Sequence, residues 1–425
     1  MSKKLFSDFS EVSSKEWKQK IQADLKGADY NETLIWKTNE GIDVKPFYHA
    51  DEFSTNPSIS SSKATKWQIC ETIYVADLEK SNSRANELLK RGAESLKFII
   101  PSQDISIKSL LENIDLSKTQ IFFELQFLSS AYIHEILEAT SKENTVILTD
   151  IIGNLTRTGN WFTNLQEDQK QFEIISDKTS TISVDVSLYQ NAGATMVQQL
   201  GYALAHVNEY LNSITNQLVG QIDKNKPPLQ VIFNVSVGTN YFFEIAKLRA
   251  LRTLWHTLAS EYGITSECYI FAKPTKRNKT LYDYNTNLLR TTTECMSAVL
   301  GGANTINNLA YDAIYHKDNE FGSRISRNQL LVLKHESYFD KVNNPADGAY
   351  YIESLTQQLA EKALTLFKDI EAQGGFLKQL KEGIIQRKIK ESAEKEQSQF
   401  NTSEEVLIGT NKHPNPHDKM KQELE

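Results

Sequence analysis

Ser187-Leu188-Tyr189-Gln190-Asn191 lies at the end of a strand-like run that starts at Ser180 and alternates as far as Tyr189. It then passes through Ala-Gly-Ala into a long amphipathic segment. A strand end that feeds a helix is where α/β proteins usually hold their reacting groups. None of these five side chains is a good general acid or base near neutral pH. The other polar groups at strand ends are Asp150, Lys273 and Asn307. Lys273 follows Phe271-Ala272 and precedes Pro274. Pointing into a barrel mouth it has the type of a Schiff-base nucleophile; outside it is one loop lysine beside Lys276 and Arg277. Arg290 and Glu294 stand i, i+4 and read as an ion pair on a helix face. His413 and His417 share the spacing of a metal pair, but Pro414 and Pro416 keep them off one helix face, so no metal centre is expected. His134, His206, His256 and His335 fall inside helical patterns rather than at strand ends, and read as surface or packed helix residues. No Walker A loop, GxGxxG turn, HExxH or CxxC pair occurs.

The elements that must position these groups alternate. Strand patterns cover 67–76, 95–100, 120–125, 144–150, 180–189, 229–237, 267–274 and 304–311, with amphipathic helical patterns between them. The fourth crossover is the poorest, with 166–175 its best helix-like piece. Eight alternating units predict an α/β fold of the closed (β/α)8 TIM-barrel type; an open doubly wound sheet is the rival, but its common form has about six strands. The expected division is 1–66 for an N-terminal helix, extended arm and linker, 67–345 for the barrel, 346–400 for C-terminal helices packed on it, and 401–425 for a polar tail. The arm carries Trp17, Trp36, Phe47 and Tyr48 before a Ser/Thr-rich joint at 54–66. Such an arm needs a surface to lie on, its own barrel or a partner, and these aromatic residues are the interface candidates.

The 425 residues are 40% hydrophobic and carry a formal net charge of −7 with pI about 5.8, so nothing favours nucleic acid as a partner. No apolar run reaches the ~20 residues that span a bilayer, and the start, MSKKLFSDFS, lacks the apolar core of a signal peptide. Cys70, Cys268 and Cys295 are few and scattered, which suits a reducing compartment. The expected location is cytoplasmic.

Long stretches resemble the methylmalonyl-CoA mutase family. They include EGIDVKPFY (40–48), NAGATMVQQLGYALAHVNEYL (191–211), TNYFFEIAKLRALRTLW (239–255), RNKTLYDYNTNLLRTTTECMSAVLGGANTI (277–306), the run over 320–363 and LIGTNKHPNP (407–416). The resemblance implies a (β/α)8 barrel that binds an acyl-CoA, and an N-terminal arm that reaches over a partner subunit. Catalytic chains of that family carry a Tyr-His pair before Met-Gln-Glu-Ala-Gly; in the same register this chain has Ser187 and Leu188, then Tyr189-Gln190-Asn191-Ala192-Gly193. A second position, usually His in the catalytic chains, is Asn307. Leucine offers no hydrogen bond to a thioester oxygen. The resemblance therefore implies no catalytic residue here, with Ser187, Leu188, Tyr189, Gln190 and Asn307 as vestigial mouth positions. Catalytic chains continue into a cobalamin-binding domain marked by Asp-x-His-x-x-Gly; this sequence has no such motif, so no cobalamin-binding domain and no cofactor are expected on this chain. The implied role is the small, non-catalytic subunit of a heterodimer whose large catalytic subunit binds adenosylcobalamin and interconverts methylmalonyl-CoA and succinyl-CoA. Two other readings stay open: the barrel chain of a split acyl-CoA mutase that borrows a separate cobalamin-binding protein, and an acyl-CoA-binding regulatory protein. An open or a filled barrel axis discriminates among them.

Overall fold

The computed structural model describes residues 8–53, 64–140, 142–217, 229–265 and 267–418. Most of the joint expected over 54–66 and the end of the tail expected over 401–425 lie outside the described residues. Eight parallel strands form one sheet: β1 (Gln68–Tyr74), β2 (Ser95–Ile100), β3 (Gln120–Leu125), β4 (Thr145–Leu148), β5 (Thr181–Asp185), β6 (Gln230–Val237), β7 (Cys268–Pro274) and β8 (Thr305–Ile306). Their order is β4-β3-β2-β1-β8-β7-β6-β5. Short β8 completes the curve by pairing with β1 (Thr305 opposite Gln68) and with β7 (Thr305 opposite Phe271). The two ends of the sheet, β4 and β5, share no ladder, so the barrel is nearly closed and has a seam there. Asp150 bridges the seam: its Oδ2 accepts the Asp185 N–H at 2.7 Å.

Strand alternation sorts the side chains. On β2, Leu96, Phe98 and Ile100 face outward into a core with Leu88, Leu110 and Ile136 of the covering helices. The inward face holds Cys70, Phe122, Val146, Leu148, Ile232 and Phe271, with Tyr269 against them. Phe122 and Phe271 meet edge to face with centroids 5.1 Å apart. Below them the Tyr269 hydroxyl donates to Gln120 Oε1 at 3.1 Å and pairs with Thr305 Oγ1 at 2.6 Å. The barrel axis is thus filled by aromatic and aliphatic side chains, as a packed core and not a pore.

Two elements differ from the sequence pattern. The fourth crossover contains two helices, Ile151–Thr158 and Leu165–Thr179. The first was hidden because its apolar start, Ile151-Ile152, continues the apolar run of β4; the Asp150 side chain caps it by accepting the Gly153 N–H at 2.6 Å. The fifth strand stops at Asp185 instead of reaching Tyr189: Ser187–Ala192 is a short helix ended by Gly193 at φ 103°. A side chain at 193 is also blocked by Ala393, whose Cβ would lie 2.6 Å away.

The C-terminal helices Tyr350–Ala372, Phe376–Lys381 and Ile384–Asn401 share the barrel's outer core through Leu355, Leu359, Ala363, Phe376 and Ile385. Arg249 holds the first of them by ion pairs to Glu353 (2.7 Å) and Asp347 (3.2 Å). The arm lies on this same side of its own barrel. Ile42 and Val44 join the core, Trp36 meets Phe243, Tyr48 meets Tyr351, and Glu40 accepts the Met196 and Val197 N–H groups, both at 2.8 Å. Among the described residues no helix is long and apolar enough to cross a membrane.

Candidate functional site

The mouth, at the C-terminal strand ends, is held together by the residues on which chemistry was sought. Asp185 ends β5; its Oδ1 accepts from both the N–H and the hydroxyl of Ser187. Leu188 is half-buried and packs into none of the hydrophobic clusters. Tyr189 turns away from the mouth, into the helix layer, where its hydroxyl meets His206 Nδ1 at 2.7 Å and its ring meets Tyr202 and Phe376. Burial pushes the Tyr189 phenol well above its ordinary pKa, so it stays neutral. Gln190 and Asn191 both accept from Thr275 Oγ1, at 2.6 and 3.1 Å, and Asn191 Nδ2 donates to Ser236 Oγ. They tie the end of β5 to β6 and to the loop after β7. Asn307, just beyond β8, donates to Cys70 O at 2.9 Å and accepts from Thr72 Oγ1 at 3.1 Å.

Asp150 and His206 form the hub that pattern reading missed as a unit. The fully buried His206 Nε2 stands 2.9 Å from Asp150 Oδ1, which also accepts from Tyr210 Oη at 2.7 Å. Burial would raise the Asp150 pKa, but His206, Tyr210 and the Asp185 N–H together hold it below the carboxylate norm. No sequence spacing links 150 with 206; only the fold brings them together.

Three cations, with their carboxylate partners, converge on the barrel interior. Lys97 on β2 pairs with Glu124 on β3 at 2.5 Å, and its charge pulls Glu124 down to about 2 against the cost of burial. Arg157 pairs with Asp185 at 2.9 Å across the seam. Lys273 lies on β7 itself, half-buried on the inward face, not in the exposed loop. Burial depresses its amine while Asp185 and Glu124 work against that. A cavity of about 230 Å³ opens here, lined by Glu124, Asp150, Arg157, Ser183, Asp185 and Asn234 together with apolar groups of the β3 and β4 loops. No histidine lines it.

Other candidates are placed elsewhere. Arg290 and Glu294 do not pair. Arg290 donates to Thr286, Asn287 and the Ile408 carbonyl. Glu294 is buried against Lys279 at 2.8 Å, because the loop 278–280 folds back over this helix and supplies a closer cation. His134 sits at the surface 3.5 Å from Glu138, and His256, His335, His413 and His417 are exposed. The three cysteines are buried and unpaired; burial pushes the Cys70 and Cys268 thiols up to about 12, which leaves them unreactive. Trp17 and Trp36 are 50% and 52% exposed, while Phe47 and Tyr48 are half-buried. Trp17 meets Phe47 edge to face.

Fold and site together define a nearly closed (β/α)8 barrel with a filled axis, a strapped-on arm and a mouth whose polar groups are mostly committed to each other. Residues 107–425 match the methylmalonyl-CoA mutase family. The methylmalonyl-CoA mutase small subunit of Porphyromonas gingivalis is 33% identical over 97% of this chain and 71% of its own length. The methylmalonyl-CoA mutase of Rhizobium meliloti is 27% identical over 95% of this chain, which spans 64% of that protein. Among solved structures, a Yersinia pestis DHPS bound to a pterine-sulfa conjugate aligns with 65% of this chain and 95% of its own, at 14% identity and a TM-score of 0.34. The chain belongs to the methylmalonyl-CoA mutase family.

Proposed function

We propose that this chain is the small, non-catalytic subunit of a heterodimeric methylmalonyl-CoA mutase, in which a large partner binds adenosylcobalamin and carries out the interconversion of methylmalonyl-CoA and succinyl-CoA. The observation that carries this reading is the mouth of the barrel. Where the resemblance puts a Tyr-His pair, Ser187 is spent on Asp185 and Leu188 offers no hydrogen bond. The filled axis supports it further: Phe122, Phe271 and Tyr269 occupy the space through which an extended thioester would have to pass. A cavity of about 230 Å³ is below the ~300–1,000 Å³ of pockets for drug-sized ligands, and coenzyme A is larger than those. The relative named as a small subunit supports the same assignment.

The test uses the two-chain complex. Leu188→Ala in this chain should leave turnover of methylmalonyl-CoA within about twofold, because a group that meets no reacting atom adds nothing to the transition state. A fall of a hundredfold or more with assembly intact, the size expected for loss of a transition-state contact, would show that this barrel does chemistry. Failure to co-purify with any large subunit would remove the heterodimer from the reading.

A further inference from the structure

The mouth cavity carries groups that neither the fold nor the proposed function uses. Ser183 is 1% exposed and Asn234 is 8% exposed, and both line the cavity. Neither Ser183 Oγ nor Asn234 Oδ1 has a hydrogen-bond partner among the described residues. Buried polar atoms in folded proteins are nearly always paired, so two orphans in one cavity point to a missing ligand. The three carboxylates of the lining already have partners. Glu124 is matched by Lys97, Asp185 by Arg157, and Asp150 by His206. Lys273 is left over, with no salt-bridge partner among the described residues; it stands on the inward face of β7, next to the strand that bears Asn234. Arg157 also lines the cavity and spends only one side of its guanidinium on Asp185. The opposite wall is apolar, built by Leu125, Phe127, Leu148 and Phe162.

We propose that this cavity binds a short hydroxycarboxylate. Its carboxylate meets Lys273 and Arg157, and its hydroxyl accepts from Ser183 Oγ while donating to Asn234 Oδ1. The alkyl part lies on the apolar wall. The volume, about 230 Å³, admits an acid of a few carbons and no bulky thioester. A carboxylate gives Lys273 the ion pair that the described residues do not supply. Burial depresses the Lys273 amine, and a bound carboxylate would restore it. The inference does not depend on whether the chain is catalytic.

Isothermal titration of the purified full-length chain with sodium lactate and with sodium 3-hydroxybutyrate, at constant ionic strength, tests it. At least one acid should saturate a single site. Butyrate, which lacks the hydroxyl, should bind about tenfold more weakly or worse, the fold-change expected for one lost buried hydrogen bond. Arg157→Gln and Lys273→Met should each weaken binding by about tenfold or more, and Asn234→Leu should remove it. Arg157 is half-exposed, so if Lys273→Met fails to fold, Arg157→Gln decides alone. No saturation by either acid overturns the proposal. So does unchanged affinity in Arg157→Gln, or butyrate binding as tightly as the hydroxy acid. None of these measurements involves turnover or a second chain, so their failure leaves the subunit assignment standing.

Discussion

Leu188 and Lys97 show how differently two mouth residues bear on stability. Leu188 is half-buried and outside every hydrophobic cluster, so Leu188→Ala should cost about 1 kcal/mol, well below the ~2–5 of a core leucine. Urea unfolding of the two proteins measures this; a loss above about 2 kcal/mol would mean that the side chain plugs the mouth. Lys97 is the opposite case. Lys97→Met strands the Glu124 carboxylate in a largely buried place, and the cost should be on the order of 2–3 kcal/mol, somewhat under the ~3–5 of a fully buried pair. The pH dependence follows from the depressed pKa of Glu124. A carboxylate whose folded pKa lies below its unfolded value stabilises fully above the unfolded pKa and loses that contribution as pH falls. The stability gap between wild type and Lys97→Met should therefore be flat near neutrality and shrink from about 4.5 toward about 2. A gap that stays constant down to pH 3 would mean that the pair adds nothing.

At the scale of elements, the arm and the 196–217 helix depend on each other. Glu40 supplies both acceptors for the first free N–H groups of Met196–Gln217, where the helix macrodipole also favours a carboxylate. Burial pushes the Glu40 pKa up, and the two N–H groups and Lys247 oppose that shift. Glu40→Ala should destabilise the chain by about 1–2 kcal/mol and speed hydrogen exchange over residues 36–48, because the arm loses its clamp. Unchanged exchange there would show that Ile42 and Val44 alone hold the arm. The Ser187–Ala192 helix illustrates why this stretch misled pattern reading. Val184, Val186 and Leu188 alternate like a strand, yet Gly193 and the close approach of Ala393 stop the chain from running straight on. Alternation over a few residues cannot exclude a short helix when a turn-forming glycine follows.

For the whole molecule, the exposed aromatic groups of the arm bear on assembly. Trp17 and Trp36 are half-exposed, and Phe242, 48% exposed, lies beside Trp36's neighbour Phe243. Deleting residues 1–50 would remove Glu40, Ile42 and Val44 from the chain's own core, so it tests folding and docking together. Point substitutions separate them. Trp17→Ser with Trp36→Ser should change the stability of the lone chain by no more than about 1 kcal/mol each, yet weaken capture of a large partner by tenfold or more if these residues anchor the interface. Equal capture at equal salt would place the interface elsewhere on the barrel.

The sequence by itself determined the eightfold repeat of strand and helix, because that periodicity is local: each strand alternates and each covering helix repeats at 3.6 residues whatever lies across the barrel. It also determined the family, through long ordered matches. Tertiary structure alone decided what the polar residues do. Asp150 meets His206, Glu294 takes Lys279 in place of Arg290, and Glu40 reaches Met196. These partners lie 56, 15 and 156 residues apart, and side-chain hydrogen bonds carry no periodic trace in the chain that would reveal them. The cavity is of the same kind. Ser183 and Asn234 belong to different strands, and only closure of the barrel leaves both of them buried and unpaired in one place.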